Sequence, residues 1–459
     1  MLETLQPNIL KGHTREFLSV VFLRFTDAAA GRDFLSRVAT LMKSAAKHLQ
    51  EIAAFKKDQV PGTAYVGVGL TAEGYKALGI VKLPSDPSFN AGMQAADLHD
   101  PAVATWDPAF RDKKDLHACI LIGDMTLETK SQMHDRVLAM LAAVPSVVVL
   151  GTQDGAGLHN GNGDGIEQFG YVDGRSQPLF LDADLQAEQD TTDGTSVWNP
   201  AFDIGRVIVA EPGPAGAPEH FGSYFVFRKL EQDVRKFKQA ELDFAEALGL
   251  ADAERAGAML VGRFEDGTPV TLQSQDGAHG PVMNDFNYAS DRQGGKCPFL
   301  GHIRKTNPRG SGGFEKHDAE RMHLMARRGQ TYGVRADNPN DGRIANKPTG
   351  GVGLLFMAFN SDIANQFEFT QKNWANSAGF PKVDPEGGKA PGVDPVIGQT
   401  AGDAKRPDMT VALTWGEPGS MKTVPAVPRA VTMKGGEYFF MPSLAFLRHL
   451  DAPARAAAS

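Results

Sequence analysis

Apolar positions along this sequence change period in a regular order, from short runs that are apolar or β-branched throughout to stretches in which apolar residues return every three or four positions. The run from Phe17 to Phe25 predicts a strand, and residues 28–55, with Phe34, Leu35, Val38, Leu41 and Met42 at helical spacing, predict one helix. A strand over 63–70 leads through Thr71, a hydroxyl N-cap, into a short helix over 72–78. The pattern then restarts: a strand over 115–122, an amphipathic helix over 127–143 with Met133, Val137, Met140 and Leu141 inward, and a returning strand over 147–152. Strand, helix, strand, strand, helix, strand is the ferredoxin-like order, with antiparallel pairing implied by the direct strand-to-strand connection.

The second half repeats that order. Strands are predicted over 222–228, 353–359 and 437–441, and helices over 233–248, 363–374 and 443–449. The repeat places a boundary in the polar stretch 184–199 and divides the sequence into an N-terminal domain, 1–190, and a C-terminal domain, 191–459. The fold class expected is therefore α+β, with two ferredoxin-like domains built on antiparallel sheets. Residues 262–352 form a long Gly-, Pro- and Asn-rich excursion, and loops beyond about 12–15 residues in a compact domain are functional or disordered. The alanine-rich tail 451–459 is expected to fray.

Composition narrows the class of partner. The 459 residues are 42% hydrophobic and 22% charged, with a formal net charge of -8, which argues against a nucleic-acid or anionic-membrane surface and for a small-molecule partner. Two cysteines, Cys119 and Cys297, offer no disulfide framework, which fits a reducing compartment. No run approaches the roughly 18 apolar residues of a membrane span, and the first residues show no charged leader with an apolar core, so the reading is a cytoplasmic protein.

Three segments gather the chemistry: Gly170-Tyr171-Val172-Asp173-Gly174, Cys297-Pro298-Phe299-Leu300-Gly301-His302-Ile303-Arg304-Lys305, and Arg327-Arg328-Gly329. They supply an acid, a metal ligand and a cation. Iron on one imidazole, with a carboxylate and a guanidinium available on its open face, is what heterolytic cleavage of a peroxide O–O bond requires. The last two segments fall inside the long excursion, which marks it as functional. Taken singly, Asp173 could be an Asx turn or cap, and Arg327 and Arg328 a solvated pair. His317 and His323 share no helical face and have no third ligand, so both read as surface histidines; Gly161-Asn162-Gly163-Asp164-Gly165 lacks a helix suited to phosphate and reads as a turn.

Extended to Phe169 on one side and Ser176-Gln177-Pro178 on the other, the Gly-x-x-Asp-Gly string resembles the signature of the haem-containing dye-decolourising peroxidases, in the C/D-type subgroup of longer sequences. The resemblance implies one haem b per molecule in the C-terminal domain. It implies that His302 is the proximal iron ligand, with Asp394 orienting its other nitrogen. Arg309 would hold a haem propionate, and Arg304 and Lys305, beside the ligand, would add cations for the same purpose. Leu354 and Phe356 are core strand residues that would also line the open face. Asp173 would move a proton between the two peroxide oxygens, and Arg327 would stabilise charge on the departing one. Arg175 departs from the signature, standing where the family more often has an apolar residue.

The function expected is a peroxidase that uses hydrogen peroxide to oxidise bulky aromatic dyes and phenolic donors through an oxoferryl porphyrin-radical intermediate, acting as a monomer or homodimer. The alternative is a haem carrier with incidental activity, which would need His302 and the propionate cations but neither Asp173 nor Arg327. Donors too large for a peroxide-sized pocket need an oxidisable aromatic to relay electrons from the surface. Trp374 and Tyr332, tied in sequence to the predicted haem-lining segments, are the candidates for that surface relay, and packing is the competing use of both.

Overall fold

The alternation of apolar runs and helical stretches resolves into two four-stranded antiparallel sheets that close on each other. The computed structural model describes residues 1–191, 196–212, 220–277, 282–382, 390–402 and 404–450. In the first half β1 (Phe17–Phe25), β2 (Tyr65–Leu70), β3 (Ala118–Asp124) and β4 (Val147–Ala156) lie in the order β4-β1-β3-β2. In the second half the short β5 (Val209–Ala210) and the long β6 (Phe221–Gln232) are followed by β7 (Ala326–Arg327), β8 (Gln330–Tyr332) and β9 (Gly353–Asn360). A separate hairpin, β10 (Met409–Ala412) with β11 (Met421–Val424), precedes β12 (Val431–Met441). The second-half order is β12-β6-β9-β8, so each half has the ferredoxin-like arrangement.

Each seam between the halves is thin. Phe440 opposite Leu70 joins β12 to β2, and Gly155 opposite Tyr332 joins β4 to β8; with β6 paired along β9, the eight strands form a closed barrel. At the first seam the buried amide of Gln6 replaces the missing ladder. Its Nε2 donates to the carbonyls of Val68 and Pro442 at 2.8 Å each, and its Oε1 accepts from the Val68 N–H at 3.0 Å. Leu5, Ile9 and Leu10 carry the same N-terminal segment into the core.

Strand periodicity decides what faces the barrel interior. Phe22, Phe225, Phe227, Phe359 and Phe439 meet there, with ring centroids 5.1 to 6.4 Å apart. The alternate residues of β6 and β9, Arg228, Leu230, Gln232, Leu354 and Phe356, point to the other face, where Arg228 stands opposite Phe356 and Leu230 opposite Leu354. That face is the floor on which the functional site is built.

The helix predicted over 28–55 is two helices, Ala28–Val38 and Ala45–Asp58, because the Ser44 hydroxyl accepts from the Lys47 N–H and starts a new one. The stretch taken for a polar boundary overlaps the helix Asp182–Gln189, which has no buried residue and so shows no apolar period. The helix predicted over 363–374 is wound as π-helix in Ala364–Glu368 and Thr370–Ala375. Strands β7 and β8 are too short to show a period, and β12 begins six residues before the predicted 437. The tail expected to fray, 451–459, lies outside the described residues.

The Gln6 clamp predicts that Gln6→Met lowers unfolding stability by about 2–4 kcal/mol, since three buried backbone groups lose a partner, each worth roughly 1–3 kcal/mol with partial relaxation. Urea unfolding followed by far-ultraviolet circular dichroism measures it, and a change under about 0.5 kcal/mol would show that the seam holds without the clamp.

Candidate functional site

A cavity of about 1050 Å³ lies on the outer face of β6 and β9. His302 and Thr306 reach it from the short helix His302–Thr306, Asp173 to Pro178 from the signature segment, and Arg327 to Gln330 from β7 and the start of β8. Leu354 and Phe356 line it as expected.

Local geometry fixes each of the three chemical groups. Gly262, at φ +102, lets the helix Ala253–Val261 end against the His302 helix; a Cβ there would sit 2.3 Å from Ile303 Cγ1. The His302 ring Nδ1 lies 2.8 Å from Oδ2 of Asp394, a carboxylate with no exposed surface. The other oxygen of Asp394 accepts from the N–H groups of Val396 at 2.8 Å and Ile397 at 2.9 Å. Burial pulls the imidazole pKa down, but the charge and hydrogen bond of Asp394 outweigh it and the net shift is upward. Burial likewise opposes the charge on Asp394, yet His302 and the two amides hold its carboxyl below the usual range. With Nδ1 engaged, Nε2 is the ring nitrogen without a hydrogen-bond partner among the described residues.

Asp173 is exposed on a turn between Gly170, at φ +102, and Gly174, at φ +77, and its N–H donates to the Gly165 carbonyl at 3.0 Å. Arg327 is tied to the same turn: its Nη2 donates to the Arg175 carbonyl at 2.6 Å, and its backbone N–H donates to Gln177 Oε1 at 3.0 Å. Arg328 turns the other way, donating to the carbonyls of Asn8, Arg327 and Ile9 at 2.7 to 2.9 Å. Of the two adjacent arginines, only Arg327 hydrogen-bonds the signature segment through its guanidinium.

The cations near His302 divide differently from the expectation. Arg309, itself at φ +50, lies between the rings of Trp198 and Phe286, 4.2 and 4.0 Å from their centroids, and donates to Ser176 Oγ and Asn284 Oδ1 at 2.8 Å each. It lines the cavity. Arg304 does not: its side chain is fully buried, pairs with Asp291 at 2.8 Å, donates to the Cys297 carbonyl at 2.6 Å, and sits over the rings of Tyr288 and Phe299. Lys305 also points away, donating to the carbonyls of Trp374 at 3.1 Å, Ser377 at 2.7 Å and Phe380, and burial pulls its pKa down to about 7. A helical turn spreads consecutive side chains over different directions, so cations beside a ligand in sequence need not stay beside it in space.

Two further expectations are corrected. Trp374 and Tyr332 are 2% and 7% exposed and do not line the cavity, so neither is at the surface. His323, read as a surface histidine, is buried against the cavity, with its ring stacked 3.6 Å from that of Phe369 and its Nε2 3.0 Å from Glu315. His317 is exposed, as expected. Among the described residues no group of three metal-ligating side chains converges.

Sequence reading passed over the buried network behind the signature. Tyr171 donates to Glu241 at 2.5 Å, and Lys238 pairs with both Glu241 and Glu265. Burial raises the Glu254 carboxyl to about 7, with Glu265 adding to the shift. The one available cue was Tyr171 itself, an aromatic hydroxyl inside the signature that needs a partner once buried.

Residues 4–155 match the family model described as the DyP dimeric alpha+beta barrel domain. The multifunctional dye peroxidase DyP2 of an Amycolatopsis species is 57% identical over 98% of this chain and 96% of its own. The solved DyP2 structure superposes with a TM-score of 0.92 at 56% identity, covering 97% of this chain and 96% of that one. A DyP-type peroxidase from an Anabaena species superposes with a TM-score of 0.89 at 35% identity, covering 98% and 94%.

The burial of Arg304 predicts a structural phenotype. Arg304→Met leaves Asp291 charged and unpaired, which costs about 3–5 kcal/mol. Chemical denaturation should show that loss; a variant as stable as the parent would return Arg304 to the pool of cofactor-binding cations.

Proposed function

From the premise that this chain belongs to the dye-decolourising peroxidase family and is a peroxidase, we propose that its cavity holds one haem b, with His302 as the iron ligand and Asp173 and Arg327 as the groups that act on hydrogen peroxide. The observation that carries the reading is that His302, Asp173 and Arg327 line one cavity, with Nδ1 of His302 tied to the buried Asp394 and Nε2 left without a partner. The cavity suits the group. Its volume is at the top of the usual range of roughly 300–1,000 Å³, its floor is apolar at Leu230, Leu354 and Phe356, and the guanidinium of Arg309 has no carboxylate within ion-pair distance among the described residues. Arg309 would meet a propionate there.

Bound in this cavity, the haem supplies the iron at which the peroxide O–O bond breaks. Asp173 takes the proton from the near peroxide oxygen and returns it to the far one, so that water leaves. Arg327, fixed by the Arg175 carbonyl, holds a permanent positive charge near the departing oxygen without changing its own protonation. Asp394 orients the His302 ring and favours electron donation from it. The carrier alternative gives no reason for Asp173 and Arg327 to share the cavity.

Electrons from donors too bulky for the cavity would pass through Trp374. Its indole meets the cavity-lining His323 edge-on at 5.2 Å and stacks on Phe380 at 5.3 Å, and Phe380 stacks on Phe314, which is 64% exposed, at 6.2 Å. Among the described residues Tyr332 has no such connection: its hydroxyl is buried without a hydrogen-bond partner there, and Lys229 lies 5.1 Å from its ring centroid. Its part in the relay is the weaker one.

His302→Ala is expected to lose most haem, read from the Soret band, while Asp173→Asn and Arg327→Leu keep it and react with peroxide about 10²–10⁴-fold more slowly in stopped-flow mixing. Parent-like reaction rates in both distal variants would overturn their assignment and restore the carrier reading. For the relay, Trp374→Phe should lose most turnover of a bulky anthraquinone dye and keep that of a small phenol. Tyr332→Phe should lose less, and equal activity of the double variant on both donors would point instead to oxidation at the cavity.

A further inference from the structure

The cavity wall carries more positive charge than its own carboxylates balance. One lysine and seven arginines line it, against Glu167, Asp173, Asp184 and Glu188. Lys11 is neutralised by Asp184, and Arg228 by the Asp100 carboxylate at 2.5 and 2.9 Å. Arg15, Arg263, Arg309, Arg327 and Arg328 donate to carbonyl, hydroxyl or amide oxygens and have no carboxylate within ion-pair distance among the described residues. Burial raises the Glu167 carboxyl to about 7, so even the nominal count of four anions overstates their charge. Two propionates would balance only part of the excess. A low-dielectric recess with a surplus of fixed cations concentrates anions at its mouth.

Arg175 is the member of this set placed to meet one. Its backbone is held by the bond from Arg327 to its carbonyl, while its side chain is 41% exposed and has one polar partner among the described residues, Asp164 at 3.4 Å, whose side chain is 27% exposed. An ion pair that long and that wet is worth little, so the guanidinium is released at small cost. Arg175 stands two residues from Asp173, and its planar fork matches the two oxygens of a carboxylate or sulfonate.

We propose that Arg175 is the specificity-determining residue of a subsite at the cavity mouth for small phenolic donors that carry an anionic oxygen group. Such a donor pairs its carboxylate or sulfonate with Arg175 and turns its phenol ring toward the cavity, where it gives one electron to the oxidised haem left by the peroxide reaction and its phenolic proton to solvent at the exposed mouth, leaving as a phenoxyl radical. The subsite rests on the reading that the cavity holds haem, and it is distinct from the route proposed for bulky dyes through Trp374.

Ferulate and methyl ferulate share a reducing phenol and differ in the anionic charge. In the ferric holoenzyme without peroxide, ferulate should bind more tightly than its ester in equilibrium titrations, the advantage shrinking as ionic strength rises. Arg175→Ile should reduce that advantage, and the acid-over-ester ratio of kcat/KM, by about two- to fivefold, the range of a partly exposed ion pair. Arg175→Lys should restore part of both. 4-Hydroxybenzenesulfonate should show the same Arg175 dependence, as an anion subsite requires, and insensitivity of its binding to Arg175→Ile would overturn the subsite as proposed. Equal affinity of acid and ester in the parent, or an equal change for both in Arg175→Ile, would overturn it. So would loss of haem from Arg175→Ile, which would make the residue a propionate contact. Because binding is read without peroxide, failure of the distal assignments would leave this test intact.

Discussion

Closure of the barrel at two thin seams is the constraint on which the rest of this structure depends. Without the join of β12 to β2, reinforced by Gln6, and the join of β4 to β8, each half would be a four-stranded sheet with two open edges. Closing them buries one face of both sheets around a common set of phenylalanines and leaves the outer face of β6 and β9 to be covered by something else. The long excursion between β6 and β9 supplies part of the cover, and the N-terminal segment, the signature segment and Val396–Ile397 supply the rest. The cavity is the space between that cover and the sheet, so its walls come from segments that lie far apart in sequence. His302 and Asp394, 92 residues apart, meet there at 2.8 Å, and Asp173 joins them from the first half.

Period and capping made most of the elements legible. Strands of six residues or more were visible as apolar runs, and the repeated order of strands and helices was enough to reach the fold class. Failures fell where the physical signal is local and small. Ser44 splits a helix through one hydrogen bond, and the apolar spacing passes across it undisturbed. Two- and three-residue strands such as β7 and β8 exist because β9 is already there to pair with them, a tertiary cause with no local trace. The helix Asp182–Gln189 buries nothing, so hydrophobic spacing could not reveal it.

At the site, residue type was legible and direction was not. Arg304, Lys305 and Arg309 stand close together in sequence, and only Arg309 reaches the cavity. The difference lies in what each finds within reach. Arg304 meets the buried Asp291 carboxylate, Lys305 meets three carbonyls away from the cavity, and Arg309 meets the carbonyls of Asn284 and Phe286, two side-chain oxygens and two aromatic faces at the cavity wall. Arg327 and Arg328 both line the cavity and differ in what holds them, the signature turn for Arg327 and the N-terminal segment for Arg328. A cation paired with a carboxylate, or buried away from the cavity, acts as part of the scaffold, whereas a cavity-lining one held by neutral oxygens alone keeps an unbalanced charge available to a ligand.

That distinction bears on why the cavity tolerates so many guanidinium groups. A buried cation without a counter-ion is costly, and burial lowers the pKa of Arg309 and Arg328 to about 9 each without bringing either near neutrality at physiological pH. Five arginines in this condition around one space store a cost that a bound anionic group relieves. Under the proposed assignment, haem propionates would relieve it at Arg309, and charge that develops only while the peroxide bond breaks would relieve it at Arg327, so that guanidinium would favour the transition state over the resting one. An arginine with a carboxylate already beside it, as Arg228 has in Asp100, gains little from either event. The arrangement of partners, more than the number of positive charges, therefore decides which part of the cavity binds, which part reacts and which part only holds the walls in place.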